Sequence, residues 1–111
     1  MIAGLSGRRS FARLRAEGVK AGRGPLRLQY CPSDQLVSRI AFAISRDVGT
    51  AVVRNRTRRR IQAILRELDL ATGNLPPPGD LLIRVTAPLD GWSHAELRTT
   101  MIDLLLPWST R

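Results

Sequence analysis

Five arginines fall within the seven residues Arg54-Asn55-Arg56-Thr57-Arg58-Arg59-Arg60. Guanidinium groups at that density suit one task above others, charge-assisted and often bidentate contact with phosphate oxygens, accompanied by counterion release. Asn55, set among them, carries an amide suited to a ribose, a phosphate or a neighbouring backbone group. Other chemistry has little to work with. Cys31 and His94 are the only residues of their kinds, which excludes an internal disulfide and a four-cysteine zinc site and disfavours a histidine metal cluster or a Ser-His-Asp triad. The 9 acidic residues are scattered, and no Asp/Glu pair stands at helical spacing in the basic region, which argues against a two-metal nuclease made of protein alone.

The charge is lopsided. The 111 residues carry a net charge of +9, which makes a polyanion the first partner to consider, nucleic acid ahead of an anionic membrane surface. Residues 1–60 hold 14 cations against 3 acids, and residues 61–111 hold 4 cations against 6 acids. The first half reads as the binding side and the second as scaffold. Lys20 is the only lysine; genomic codon composition explains that bias as well as function does. No apolar run approaches the ~20 residues of a membrane-spanning helix, and Met1-Ile2-Ala3-Gly4-Leu5 lacks the pattern of a signal peptide. A single domain over residues 1–111 in the cytoplasm is the expectation.

The arginine run needs a rigid carrier. At roughly 100° per residue, Val53, Thr57, Ile61, Ile64, Leu65 and Leu68 share one side, while Asn55, Arg58, Arg59, Gln62 and Arg66 form the opposite stripe. Gly49-Thr50 supplies a start and Gly73 with Pro76-Pro77-Pro78 a stop, which predicts an amphipathic helix of about 19 residues. Arg60 points to the apolar flank and reaches out along its own stem. Around this helix, residues 10–16 predict a short helix closed by Gly18, and residues 26–30, 39–45 and 81–86 predict strands. Ser93-His94-Ala95-Glu96 opens a last helix with a capping box, and Leu97, Met101, Leu104 and Leu105 make its buried stripe. Pro32-Ser33-Asp34-Gln35 reads as a turn and residues 70–79 as the loosest loop.

The segment from Ala43 to Arg59, through Ser45-Arg46, Gly49-Thr50-Ala51-Val52 and Arg54-Asn55-Arg56-Thr57-Arg58-Arg59, strongly resembles the signature of the bacterial ribonuclease P protein subunit. The likeness extends to Phe11 and Gly18, to Asp80-Leu81-Leu82-Ile83 and to Glu96-Leu97, about residues 8–106 in all. It implies an α+β fold, an α-β-β-β-α-β-α sandwich with a four-stranded sheet and a left-handed βαβ crossover through the arginine helix, as in the second domain of a small-subunit ribosomal protein.

The resemblance also implies a function. The family's protein binds a catalytic RNA and the 5′ leader of precursor tRNA, and assists Mg2+-dependent removal of that leader. The cleavage chemistry and most of the Mg2+ contacts belong to the RNA and the substrate, so no catalytic residue and no metal ligand is expected in the protein. The implied RNA-binding residues are Arg46, Arg54, Asn55, Arg56, Arg58, Arg59, Gln62 and Arg66. The implied leader cleft takes Phe11, Arg15, Tyr30, Ala41, Ala43 and Ser45. A monomer in a 1:1 complex with the RNA, without membrane contact, is the expected assembly. The alternative is a structural RNA-binding module, such as a ribosomal protein, with no processing role.

Residue chemistry bears on the cleft directly. Ala41, Ala43 and Ser45 leave a small-residue strip on one face of a strand, where a single strand of RNA finds room. Phe11 and Tyr30 offer stacking surfaces if exposed, with core packing as the competing role. The family pattern is broken at three places. Gln62 stands where an arginine is frequent, with Arg66 one turn later on the same stripe. Arg15 replaces an apolar or aromatic residue, shifting the cleft from stacking toward charge. Asp47 replaces a basic residue and either attracts a hydrated metal or pairs with Arg46.

Overall fold

The computed structural model describes residues 2–33 and 35–109. Its order is β1 (Ile2–Gly4), α1 (Arg8–Glu17), β2 (Val19–Arg23), β3 (Leu26–Pro32), β4 (Ser38–Ile44), a single 3-10 turn (Arg46–Val48), α2 (Ala51–Thr72), β5 (Gly79–Val85) and α3 (His94–Ser109). One sheet runs β1-β4-β5-β3-β2, with β4 parallel to both β1 and β5 and the remaining pairs antiparallel. The α2 helix is the crossover between the parallel neighbours β4 and β5.

The sheet has five strands, not the four expected. The extra strand, β1, pairs with the outer edge of β4 through Ile2↔Ser38 and Gly4↔Ile40, and the Leu5 N–H continues the ladder to the Ile40 carbonyl at 2.9 Å. It satisfies backbone groups that β4 would otherwise leave as an open edge. Three residues are too few to show a period, so no pattern announces it. The Val19–Arg23 strand escaped the periodicity reading for another reason. Ala21 and Gly22 bring almost no apolar contrast, and the strand is held by its hairpin register with β3, Arg23↔Leu26 through Val19↔Tyr30.

The helices follow their patterns more closely. Thr50 caps α2, its Oγ1 accepting from the Val53 N–H at 3.3 Å. Gly73 ends it in the left-handed region at φ 73°, its N–H donating to the Asp69 carbonyl. Thr57, Ile61, Ile64, Leu65 and Leu68 are buried. They pack on the sheet face built from Leu26, Leu28, Tyr30, Ile40, Leu81, Ile83 and Val85, joined by Leu97, Met101 and Leu105 of α3. Ser93 Oγ accepts from the Glu96 N–H at 3.0 Å, as the capping box requires.

On the opposite sheet face α1 covers only one half. Leu14 and Phe11 meet Leu5, Cys31, Leu82 and Ala41 there. Gly18 ends the helix because a Cβ at that position would lie 2.3 Å from the Leu14 carbonyl oxygen. That oxygen also accepts from the buried Gln29 amide of β3 at 2.7 Å, which fixes the end of α1 to the sheet. At the other end Arg39 of β4 clamps the buried Asp80 of β5 through two bonds, 2.8 and 3.0 Å, and reaches Ser10 of α1 at 3.5 Å.

The proline segment departs from its expectation. Leu75, Pro76 and Pro77 are buried, Ser38 Oγ bonds the Pro76 and Pro77 carbonyls at 2.8 and 2.9 Å, and the Tyr30 hydroxyl donates to the Pro78 carbonyl. Side chains from two strands pin what reads as a loose loop. The predicted turn keeps a Gln35 N–H to Ser33 Oγ bond at 3.1 Å, and Asp34 lies outside the described residues. Asp80→Ala should lower stability by about 3 kcal/mol by leaving Arg39 unpaired over the sheet. Urea unfolding reads this, and a loss under about 1 kcal/mol would show that the pair does not secure β4, β5 and α1.

Candidate nucleic-acid interface

Packing of the α2 stripe forces its other side outward. Asn55, Arg56, Arg59 and Arg66 are exposed, and Arg54, Arg58 and Gln62 are half-buried on the flank. Arg46 is exposed on the 3-10 turn that leads into the helix. The structure therefore brings the eight predicted RNA-binding residues onto α2 and its approach.

None of these arginines makes an ion pair with another described residue. The ion pairs among the described residues join Arg13 to Glu17, Arg23 to Asp103, Arg39 to Asp80, and Glu67 to His94 and Arg98. Arg58 Nη1 donates to Asn55 Oδ1 at 2.7 Å, an arrangement that orients both side chains and leaves the charge standing. Arg54 Nε is buried without a hydrogen-bond partner among the described residues, an uncommon state for a charged donor. The helix itself adds to the potential. Its first turn holds no acidic residue and carries Arg54, so the positive end of the macrodipole stays uncompensated and draws anions.

Arg60 does something else. Its guanidinium donates to the Leu89 carbonyl at 3.1 Å and the Trp92 carbonyl at 2.6 Å. It thus ties the β5–α3 connection to α2. The expected reach along the stem is correct, but it ends on backbone and not in solvent.

The predicted leader cleft divides. Phe11, Arg15, Ala41 and Ala43 belong to the α1 side of the sheet, Phe11 half-buried beside Ala41 and Leu82. Ala43 is exposed, clear of α1. Ser45 uses its hydroxyl as a cap, accepting from the Asp47 N–H at 3.2 Å. Tyr30 does not join them. It lies in the core on the α2/α3 side, 3% exposed, stacked on Trp108 with ring centroids 5.2 Å apart. The strand period decides this, since Tyr30 shares its face with Leu26 and Leu28. Asp47 is exposed and pairs with no cation among the described residues.

Three cleft residues escaped the sequence reading. Beside α1 runs an open groove of about 710 Å3 whose lining includes Arg15, Lys20, Arg27, Gln29 and Arg84. Arg27 and Arg84 are directly opposite each other across β3 and β5, and Arg84 is opposite Ala43 across β5 and β4. Like charges in register destabilise a sheet unless an anion lies between them. Only the strand pairing reveals that juxtaposition, since the two arginines are far apart in sequence.

These features define a class, a small α+β protein whose crossover helix presents an uncompensated arginine face beside a basic sheet groove. The family model described as Ribonuclease P matches residues 3–107. The chain is 37% identical over 101 residues to the ribonuclease P protein component of Thermus scotoductus, covering 91% of this chain and 57% of that relative. It is 34% identical over 92 residues to that of a Nocardioides species, covering 80% of this chain and 76% of the relative. It spans 44% of the Thermus brockianus relative, so the Thermus proteins extend well beyond it. The RNase P protein from Thermotoga maritima shares the fold with a TM-score of 0.76 at 21% identity, covering 92% of this chain and 94% of that one. A Staphylococcus aureus RNase P protein mutant with defective mRNA degradation activity gives 0.78 at 14% identity, covering 94% and 86%. The chain belongs to the ribonuclease P protein family.

Arg60→Ala should cost about 1.5–3 kcal/mol of stability by removing two charge-assisted bonds. RNA affinity should stay within about twofold of wild type, unlike the effect of the neighbouring arginines. Melting and filter binding on the same variant check both; a large RNA defect with unchanged melting would return Arg60 to the interface.

Proposed function

We propose that this chain is the protein subunit of a ribonuclease P ribonucleoprotein. The observation that carries the proposal is the unpaired arginine face at the N-terminal half of α2, which is suited to the phosphates of a structured RNA. In this reading Arg46, Arg54, Asn55, Arg56, Arg58, Arg59, Gln62 and Arg66 bind the catalytic RNA. The groove beside α1, lined by Arg15, Lys20, Arg27 and Arg84, receives the 5′ leader of precursor tRNA, with exposed Ala43 next to Arg84 and half-buried Phe11 on the neighbouring surface of α1. Ala43 leaves the space, Arg27 and Arg84 meet leader phosphates, and Phe11 offers an edge for stacking.

The chemistry of cleavage falls to the RNA. Among the described residues no three His, Cys, Asp or Glu side chains converge on a place for a metal ion. Mg2+ in this proposal is held by RNA and substrate, and the protein acts by screening phosphate repulsion and placing the leader. Among the described residues no helix is long and apolar enough to cross a membrane, and the assembly proposed is one protein on one RNA.

Cleavage of a precursor tRNA by the cognate RNA, with and without this chain, tests the proposal. The chain should lower the Mg2+ needed for half-maximal rate, and an unchanged Mg2+ requirement would contradict it. The leader site has its own test in Ala43→Leu. Because Ala43 is exposed, leucine should leave stability within about 0.5 kcal/mol. It should weaken binding of leader-bearing tRNA by about 1–3 kcal/mol per excluded base, with mature tRNA unaffected. Equal loss for both substrates would place the leader elsewhere.

A further inference from the structure

A second cleft, of about 540 Å3, lies on the other side of α2, between that helix and the β1–β4 edge of the sheet. Its walls are apolar, from Ile2, Ile40, Phe42 and Leu65, and its rim carries Gln62, Arg66 and Asp69. The volume is that of a small-molecule site. Phe42 is only half-buried there, although its strand position belongs to the core face. Leu70 stands at the lip with 89% of its surface exposed. The Gln62 amide is half-buried and makes no hydrogen bond among the described residues.

The cleft exists because position 4 has no side chain. Gly4 pairs in parallel register with Ile40, so a side chain on it would project to the same face, into the cleft. A Cβ built there meets nothing within 4 Å, and its φ is outside the left-handed region.

We infer that this cleft receives one unstacked nucleobase of the RNA bound by the arginine face. An occupant must have apolar flat faces, a polar edge for one amide, and a charged tail that welcomes arginine; a nucleotide has all three. The site is continuous with the proposed interface, since Gln62 and Arg66 belong to both. In the bound state the base lies against the Phe42–Ile2 wall beneath Leu70, the Gln62 amide bonds its edge, and Arg66 faces the attached phosphate. A glutamine suits base recognition at this place, where a charge would add only phosphate attraction. The inference rests on the RNA-binding reading and adds to it an interaction that does not depend on salt.

Gly4→Leu tests it by filling the cleft. The variant should melt at or above the wild-type temperature, because it adds apolar packing and removes a glycine from a strand. Its affinity for the catalytic RNA should fall about tenfold with an unchanged salt slope, since every arginine–phosphate pairing is kept. Gln62→Ala should lose about fivefold in the same assay. Dimethyl sulfate probing should show one unpaired nucleotide protected by wild type and reactive with Gly4→Leu. Wild-type affinity together with a wild-type footprint for Gly4→Leu would overturn the inference and leave the arginine-face reading standing. Failure of the wild-type chain to bind the RNA would remove both.

Discussion

Burial of the α2 stripe is the constraint on which the rest of the molecule depends. Ile61, Ile64, Leu65 and Leu68 are each at most 1% exposed, and burying a side chain of that size contributes about 1.5–3 kcal/mol. Against this stand the mutual repulsion of Arg54, Arg56, Arg58 and Arg59, reduced by salt, and the placement of Arg54 in the first turn, at the positive end of the same helix, roughly 0.3–1 kcal/mol. Packing wins by a margin of several kcal/mol. The helix can therefore hold in fixed geometry a charge cluster that it could not hold as an isolated peptide. An anion that neutralises the cluster returns the electrostatic cost as binding energy.

The sheet serves two environments. Its α2/α3 face is a continuous apolar core, and its α1 face is half covered. The Gln29–Leu14 bond at 2.7 Å and the Arg39–Ser10 contact at 3.5 Å hold α1 over Leu82 and Ala41, which leaves the Ala43–Arg84–Arg27 row open. A helix free to slide across would cover that row, and two buried or half-buried polar contacts prevent it. The groove is thus a consequence of where α1 is fastened.

Periodic features were legible in the sequence. The α2 stripe, its Thr50 and Gly73 ends, the Ser93 cap and the alternating strands each express a local period or cap that tertiary contacts reinforce. What escaped depends on partners distant in the chain. The three-residue β1 exists because β4 offers an edge, and the proline segment is rigid because Ser38 and Tyr30 reach it. Tyr30 is the informative case. Its aromatic ring allows either stacking or core packing, and its parity with Leu26 and Leu28 decides for the core. Of the candidate site, the arginine face was readable because one helix carries it, and the Arg27–Arg84 opposition was not, because strand register creates it. The 3-10 turn at Arg46–Val48 falls between these cases, with Ser45 visible as a polar residue but not as its cap.

The central claim is that the unpaired α2 arginines exist to meet RNA phosphates, and the salt dependence of RNA binding measures it most directly. Replacing Arg54, Arg56, Arg58 and Arg59 together by alanine should flatten the log–log slope for the catalytic RNA, by roughly 0.7–0.9 for each phosphate no longer neutralised. Circular dichroism should stay native and melting should hold or rise at low salt, because the repulsion is gone. A slope identical to wild type in a folded quadruple variant would contradict the account and move the RNA to another surface.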